Sequence, residues 1–153
     1  MKTQTIIQDY YGASSFIEEN NNKELVIFIV DDNKIYRQLM KRTINRPNFS
    51  VLTFSTGEES LEYLHLNPDL VLLDYHLDGV NPYAKKGDVI YPLIKKQCPD
   101  TKIIMISSDE KFRLISDLNL KQKSKLVFKD ANVYRKIKNN VLSYLTEKEK
   151  KES

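Results

Sequence analysis

Charged and hydroxyl side chains follow four of the short apolar runs in the chain. They are three carboxylates, a pair of hydroxyls and one ammonium: Asp31-Asp32 after Leu25–Val30, Asp74 after Leu70–Leu73, Ser107-Ser108 after Ile103–Ile106, and Lys129 after Leu126–Phe128. Carboxylates about 4 Å apart repel by roughly 1 kcal/mol per pair in bulk water, and by about 4 kcal/mol at a dielectric typical of protein surfaces. A Mg²⁺ ion with oxygen ligands removes that cost, and water completes its octahedron in a shallow site. A metal, a carboxylate nucleophile, a hydroxyl donor and a fixed ammonium together suit phosphoryl transfer onto a carboxylate.

These side chains can meet only if the apolar runs are strands of one sheet. The runs are continuous rather than alternating, which is typical of strands buried on both faces of a parallel sheet, and a weaker run at Val51–Phe54 supplies a fifth strand. Stretches with apolar residues at helical spacing separate the runs and follow the last one. The stripes predicted to face the core are Ile35, Leu39, Met40, Thr43 and Ile44; Leu61 and Leu64; Val89, Ile90, Leu93 and Ile94; Leu114, Ile115 and Leu118; and Val133, Ile137, Val141, Leu142 and Leu145.

This βαβαβαβαβα pattern predicts an α/β fold with right-handed crossovers and helices on both faces of a parallel sheet. For five strands the compact doubly wound order is 2-1-3-4-5, a flavodoxin-like three-layer sandwich whose site lies where the strand order reverses. The first and third strands are then neighbours, so Asp31, Asp32 and Asp74 are expected to converge. The first strand is not followed by a Gly-rich loop, which disfavours a dinucleotide site or a P-loop.

Length and composition indicate one folded domain. The 153 residues are 41% hydrophobic and 29% charged, and the net charge of +3 is too small to indicate a nucleic-acid or membrane partner. The single cysteine, Cys98, fits a reducing compartment, and the longest apolar run of six residues is far below the roughly twenty needed to cross a bilayer. We therefore expect a cytoplasmic protein, with a polar extension at residues 1–23, the folded domain at 24–147 and a charged tail at 148–153.

Each candidate residue also has a simpler interpretation. Asp31, Asp32 or Asn33 could cap the helix that follows, and Asp74 could form a turn. Ser107 could likewise cap a helix, and Lys129 could be an ordinary solvated lysine. Taken singly these interpretations are the better ones, but the coincidence of such residues at four strand ends favours a functional site.

At this level of detail the sequence resembles the receiver domain of two-component response regulators, over about residues 25–146. The resemblance is carried by four segments: Val30-Asp31-Asp32-Asn33, Asp69–Asp74, Ile104–Ser108 and Val127-Phe128-Lys129. The separations also fit, with 42 residues from Asp32 to Asp74, 33 from there to Ser107 and 22 more to Lys129. Together these segments are a specific signature.

The resemblance implies a phosphoacceptor and a metal site. Asp74 would accept a phosphoryl group from a sensor histidine kinase or a histidine phosphotransfer protein. Asp31, Asp32 and Asp74, with the main-chain carbonyl of His76, would hold Mg²⁺. Lys129 would pair with the phosphoryl group.

The resemblance also implies residues that couple the site to the surface. Ser107 would move inward to hydrogen-bond the phosphoryl group. His76 and Asp109, two residues beyond Asp74 and Ser107, match positions that tune the lifetime of the acyl phosphate; His76 could instead be a solvent-facing loop residue.

Three features depart from the family pattern. Lys129 is followed by Asp130 where the family usually has proline, so a trans peptide is expected and Asp130 could cap the last helix. Leu126 occupies the position of the usual aromatic switch residue. The segment from Tyr75 to Lys86 is longer than usual; a tolerated surface insertion is favoured narrowly over a loop that contacts a partner or restricts access.

The favoured hypothesis is a stand-alone phosphorylation-dependent switch rather than an enzyme acting on other substrates. Its output would pass to an unknown downstream protein through the face built from the fourth predicted helix, the fifth predicted strand and the last predicted helix. One alternative is a pseudo-receiver, a binding module that never turns over phosphate. A small Mg²⁺-dependent phosphatase is disfavoured, because its second acid–base carboxylate would commonly lie where His76 stands.

Overall fold

The computed structural model describes residues 4–8, 14–18, 24–109 and 125–152, the first two segments as backbone only. Two strands, β1 (Gln4–Gln8) and β2 (Ser14–Glu18), pair antiparallel within the segment predicted as a polar extension. The helices of the described residues are α1 (Lys34–Ile44), α2 (Gly57–Glu62), α3 (Gly87–Gln97) and α4 (Val133–Glu152), with a 3-10 turn at Leu64–Leu66. The predicted helical stripe at Leu114, Ile115 and Leu118 lies outside the described residues.

Five parallel strands form the main sheet. They are β3 (Leu25–Val30), β4 (Phe49–Phe54), β5 (Leu70–Asp74), β6 (Lys102–Ser107) and β7 (Lys125–Phe128). Their order in the sheet is β4-β3-β5-β6-β7, and each neighbouring pair is parallel. This order is the predicted 2-1-3-4-5 arrangement, so the doubly wound α/β prediction is confirmed.

Apolar side chains pack on both faces of the sheet. Alternate residues of β3 divide between two core clusters, with Ile27 and Ile29 in the cluster that includes α1 and α4, and Phe28 and Val30 in the cluster that includes α3. All of β5 is buried. Burying one such side chain contributes about 1.5–3 kcal/mol, and burial on both faces explains why the strands read as continuous apolar runs.

Two of the predicted helical stripes are confirmed at some positions and wrong at others. Ile35 and Leu39 on α1 are exposed, whereas Met40 and Ile44 are buried and Tyr36 packs against the core. On α3, Val89 and Leu93 are exposed while Ile90 and Ile94 are buried. An apolar stripe wider than about 100° extends beyond the surface that the sheet can cover, so its outer positions remain in solvent.

The last helix continues through the segment predicted as a charged tail. α4 runs without a break to Glu152. Lys148 pairs with the Asp69 carboxylate, whose other oxygen accepts a hydrogen bond from the Val26 amide at 2.9 Å. This attachment and the basic residues of the last turn, which favour a helix C-terminus, stabilise the helix end. Within the described residues, no helix combines the length and the apolar character that crossing a bilayer requires.

Candidate functional site

Three carboxylates converge at one edge of the main sheet. Carboxylate oxygens of Asp31, Asp32 and Asp74 all lie within 4.8 Å of one another. The parallel pairing of β3 with β5 places Val30 opposite Leu73, so the residues that follow each strand end emerge side by side. Asp31 and Asp74 are buried, and Asp32 is half-buried.

The helix after β3 is capped by Asn33 rather than by either aspartate. The Asn33 side chain accepts hydrogen bonds from the amides of Ile35 and Tyr36. Asp31 Oδ1 accepts from the Asn33 amide at 2.8 Å, and its main-chain carbonyl accepts from the Arg37 guanidinium. Asn33 thus satisfies the helix end, and the second carboxylate oxygen of Asp31 contacts the Lys129 ammonium.

The Lys129 ammonium lies between the two buried carboxylates. Nζ is 2.7 Å from Asp31 Oδ2 and 3.1 Å from Asp74 Oδ2, and the Lys129 side chain is 10% exposed. Its amide donates to the Ser107 carbonyl, which continues the pairing of β7 with β6. Its ammonium also lies 4.5 Å from the centroid of the Tyr36 ring.

Burial and mutual repulsion change the protonation of these groups. Burial, and next the charge of Asp31, raise the pKa of Asp74 to about 7 despite the nearby Lys129. Burial also raises the pKa of Asp31, although Lys129 and the Asn33 amide oppose the shift. For Lys129, burial lowers the pKa, but Asp74 and Asp31 outweigh it and the net pKa is raised.

The donor set fits a magnesium ion. Asp74 Oδ1 is buried and has no hydrogen-bond partner among the described residues, an arrangement that costs free energy unless another group satisfies it. Asp31 and Asp32 supply further carboxylate oxygens beside it, and hard oxygen donors are the ligands that Mg²⁺ prefers.

The structure places Ser107 at the same edge of the sheet. Asp74 pairs with Ile106 on β6, so Ser107, the last residue of that strand, lies one position further along. Ser107 is fully buried, and its Oγ accepts a hydrogen bond from the Asp109 amide at 3.1 Å. The position is compatible with the predicted role, which stays a prediction.

The other predicted switch and tuning residues lie on the neighbouring segments. His76 Nε2 is 3.9 Å from Asp109 Oδ2, and both side chains are partly exposed. Leu126 is half-buried opposite Met105 and packs against the core cluster that includes α3. Their roles stay predictions, as does coordination by the His76 carbonyl.

The long segment after β5 returns onto the acidic site. The Val80 amide donates to Asp32 Oδ2 at 3.1 Å, and the Lys85 amide donates to Glu58 Oε1 at 3.0 Å. A Cβ at Gly79 would lie 2.7 Å from Asp32 Oδ2. The expectation of a mere surface insertion therefore misses a contact with a candidate metal ligand, although Tyr83 in the same segment is 94% exposed.

Asp130 forms a turn ahead of α4. The Lys129–Asp130 peptide is trans, as expected. Asp130 Oδ1 accepts from the Asn132 amide, and its other oxygen pairs with Lys136 in the first turn of the helix. The side chain thus organises the entry to α4, although the helix begins three residues later.

Tyr36 is the residue that sequence reasoning missed. The predicted stripe of α1 included its neighbour Ile35 and not Tyr36 itself. The one available signal was an aromatic residue in the first helical turn after an acidic pair, which is weak because aromatic residues at helical spacing usually belong to the core.

The comparisons with known proteins agree with this arrangement. The family model of the response regulator receiver domain matches residues 27–137, more than half of the chain. The chain belongs to this family. As a receiver domain it is 30% identical over 93 residues to the transcriptional regulatory protein DegU of Brevibacillus brevis, and 23% identical over 101 residues to the putative two-component response regulator ARR21 of Arabidopsis thaliana.

The receiver match spans a minor part of those two relatives. It covers 59% of this chain and 37% of DegU, and 64% of this chain and 16% of ARR21. The activities of the whole relatives are therefore not transferred to this receiver domain.

Solved receiver structures share the fold. The response regulator TrrA of Thermotoga maritima, in complex with Mg²⁺-BeF, is 29% identical with a TM-score of 0.65, covering 78% of this chain and 98% of TrrA. The receiver domain of AraT from Geobacillus stearothermophilus is 18% identical with a TM-score of 0.70, covering 85% of this chain and 99% of that domain. The AraT likeness concerns the fold alone.

Proposed function

We propose that this receiver domain accepts a phosphoryl group on Asp74 from a histidine kinase or a histidine phosphotransfer protein in a Mg²⁺-dependent reaction. The observation that carries the proposal is the buried, unpartnered Oδ1 of Asp74 beside Asp31, Asp32 and Lys129. Within this group of charges, the Asp74 carboxylate can bind the ion and also supply an oxygen as a nucleophile.

Each side chain has a role that follows from its position. An oxygen of Asp74 forms the new bond to phosphorus as the phosphorus–nitrogen bond of the donor histidine breaks. Lys129, at 3.1 Å from Asp74, neutralises negative charge that develops on the phosphoryl oxygens, and the Ser107 hydroxyl donates to one of them.

Asp31, Asp32, Asp74 and the His76 carbonyl are the groups that would hold the ion. When bound, Mg²⁺ supplies charge neutralisation for the phosphoryl oxygens. The reaction is then mainly one of positioning, which suits a site whose residues come from four strand ends.

The product changes the charge of a buried site. The phosphoryl group on Asp74 carries about −1.5 to −2 charges where the carboxylate carried at most −1, and this extra negative charge would draw Lys129 and Ser107 towards it. Both residues adjoin β7, and α4 follows β7, so we propose that this face passes the change to a downstream partner. The fourth predicted helix, which would complete the face, lies outside the described residues.

Phosphorylation of the purified protein with acetyl phosphate and Mg²⁺ tests the proposal. We expect intact mass spectrometry to show one added phosphoryl group on the wild type and on Asp100→Asn, an exposed control on the loop before β6. Asp74→Asn should stay unlabelled, because the amide is a poor nucleophile. Equal labelling of Asp74→Asn would contradict the site assignment.

A pseudo-receiver is the second candidate, and Leu126 at the position of the usual aromatic switch residue favours it. In that case the fold would serve as a binding module that holds no phosphoryl group. A folded wild type that stays unlabelled under the same conditions would favour this candidate.

A further inference from the structure

The Lys129 ammonium contacts an aromatic ring as well as two carboxylates. Lys129 directly follows β7, the last strand of the sheet. A lysine side chain is a flexible four-carbon chain that ends in a compact charge. Asp31 and Asp74 contact Nζ at 2.7 Å and 3.1 Å, and the Tyr36 ring centroid lies 4.5 Å away. A cation within about 6 Å of an aromatic centroid is attracted by the negative face of the ring.

The Tyr36 ring is itself held in place. Tyr36 lies in the first turn of α1, where its amide donates to the Asn33 side chain that caps the helix. Its ring stacks on the Tyr134 ring in the first turn of α4, with centroids 6.0 Å apart and an interplanar angle of 28°. Both rings pack against the core cluster shared by α1 and α4.

Burial distinguishes this contact from a second cation–aromatic contact near the site. Lys86 lies 6.0 Å from the Tyr75 centroid, and its side chain is 45% exposed. Lys129 is closer to its ring and is only 10% exposed. Because cation–π attraction strengthens when the cation is desolvated, the Tyr36 contact is the stronger of the two.

We propose that Tyr36, backed by Tyr134, is a positioning residue that holds the Lys129 ammonium between Asp31 and Asp74. This proposal rests on the proposed function, because the ammonium must stay at this point to neutralise the transferred phosphoryl group. Without the ring, the lysine stem gains rotamers that carry its charge towards solvent. The hydroxyl of Tyr36 has no part in the proposal.

The kinetic test compares two substitutions of the same tyrosine. Tyr36→Leu removes the aromatic face and should lower the maximal rate of Asp74 phosphorylation by acetyl phosphate about 3- to 20-fold. The half-saturating concentration of the donor should change little, because the ring does not contact it. Tyr36→Phe keeps the aromatic face and should restore the wild-type rate.

Tyr144→Leu is the matched control. Tyr144 packs against the same core cluster from α4, but it lines a cleft with Asn67 and Thr101 at the opposite end of the sheet. Tyr144→Leu should therefore lose packing as Tyr36→Leu does, but should keep the wild-type rate of Asp74 phosphorylation. Equal rate losses in Tyr36→Leu and Tyr36→Phe, or an unchanged rate in Tyr36→Leu, would overturn the proposal.

An NMR measurement tests the same contact without metal or phosphoryl donor. In the metal-free wild type and Tyr36→Phe, the ring current should shift the Lys129 Hε resonances upfield of those of the other lysines. In Tyr36→Leu they should return to the common range. If the Lys129 resonances of the wild type already lie in that range, the proposal is overturned even if no variant folds. If they are shifted but Asp74 accepts no phosphoryl group, the proposed function alone is refuted.

Discussion

The charged residues of the site differ in how completely a partner neutralises each one. Asp31 has the shorter contact with Lys129 and also accepts from the Asn33 amide, whereas Asp74 has the longer contact and one unpartnered oxygen. Two buried carboxylates thus face one ammonium. Because an uncompensated buried charge costs several kcal/mol, burial raises the pKa of Asp74 to about 7 when no metal ion is bound.

The stability of the metal-free protein should depend on pH through Asp74. Its pKa is raised from 3.8 to about 7, so the folded state binds this proton more tightly than the unfolded chain does. The stability gained is fully present below pH 3.8 and is lost as the pH rises through about 7. Asp74→Asn has no carboxyl group to ionise at this position and should keep its stability as the pH rises. Its free energy of unfolding should therefore exceed that of the wild type by about 1–3 kcal/mol at alkaline pH.

Urea denaturation in EDTA across this pH range measures the effect. The advantage of Asp74→Asn over the wild type should grow with rising pH, whereas Asp100→Asn should differ from the wild type by a constant amount. A difference between Asp74→Asn and the wild type that does not change with pH would contradict the prediction.

At the scale of elements, the site depends on how closely α3 approaches the end of β5. The Gly87 amide donates to the Tyr75 carbonyl at 2.9 Å. A Cβ at Gly87 would lie 2.4 Å from the Asp74 carbonyl oxygen and 3.0 Å from the Tyr75 Cα. Any larger residue would force the start of α3 away from β5, the strand that carries Asp74.

Alanine at two glycines should therefore have unequal effects. Gly87→Ala places its methyl group against backbone, which cannot move aside, and should lower the free energy of unfolding by about 1–3 kcal/mol. Gly79→Ala meets only the end of the Asp32 side chain, which can rotate, and should lower it by much less. Chemical denaturation of both variants decides the matter, and similar losses would contradict the expected backbone contact.

At the scale of the whole molecule, β3 and β5 are connected at both ends. Asp69, immediately before β5, binds the Val26 amide of β3 and the Lys148 ammonium of α4. At the other end, the carboxylates that follow β3 and end β5 repel each other except where Lys129 separates them. A cation at that end would therefore stabilise the fold as a whole.

Magnesium should raise the thermal stability of the protein. At ten times its dissociation constant, a ligand that binds only the folded state adds about 1.4 kcal/mol, or about 3 to 6 °C in the unfolding midpoint of a protein of this size. Asp32→Asn removes one proposed ligand and leaves the contacts of Lys129 with Asp31 and Asp74 in place, and its midpoint should respond much less. Equal shifts for the wild type and Asp32→Asn in a calorimetric titration would contradict the predicted coordination.

The sequence by itself determined the sheet and the residues at its edge. Apolar runs identified the five strands, and their alternation with helical stripes predicted the observed strand order. Because parallel strands bring their carboxyl ends together, this order was enough to bring Asp31, Asp32 and Asp74 into one place.

Only the tertiary structure decided which side chains complete the site. The Tyr36 contact with Lys129, the Val80 hydrogen bond to Asp32 and the Lys148 pair with Asp69 join residues distant along the chain. Local periodicity carries no information about such contacts, and it also left the exposed Ile35 indistinguishable from a core residue. The raised pKa of Asp74 has the same origin, since burial is a property of the packed fold rather than of any sequence segment.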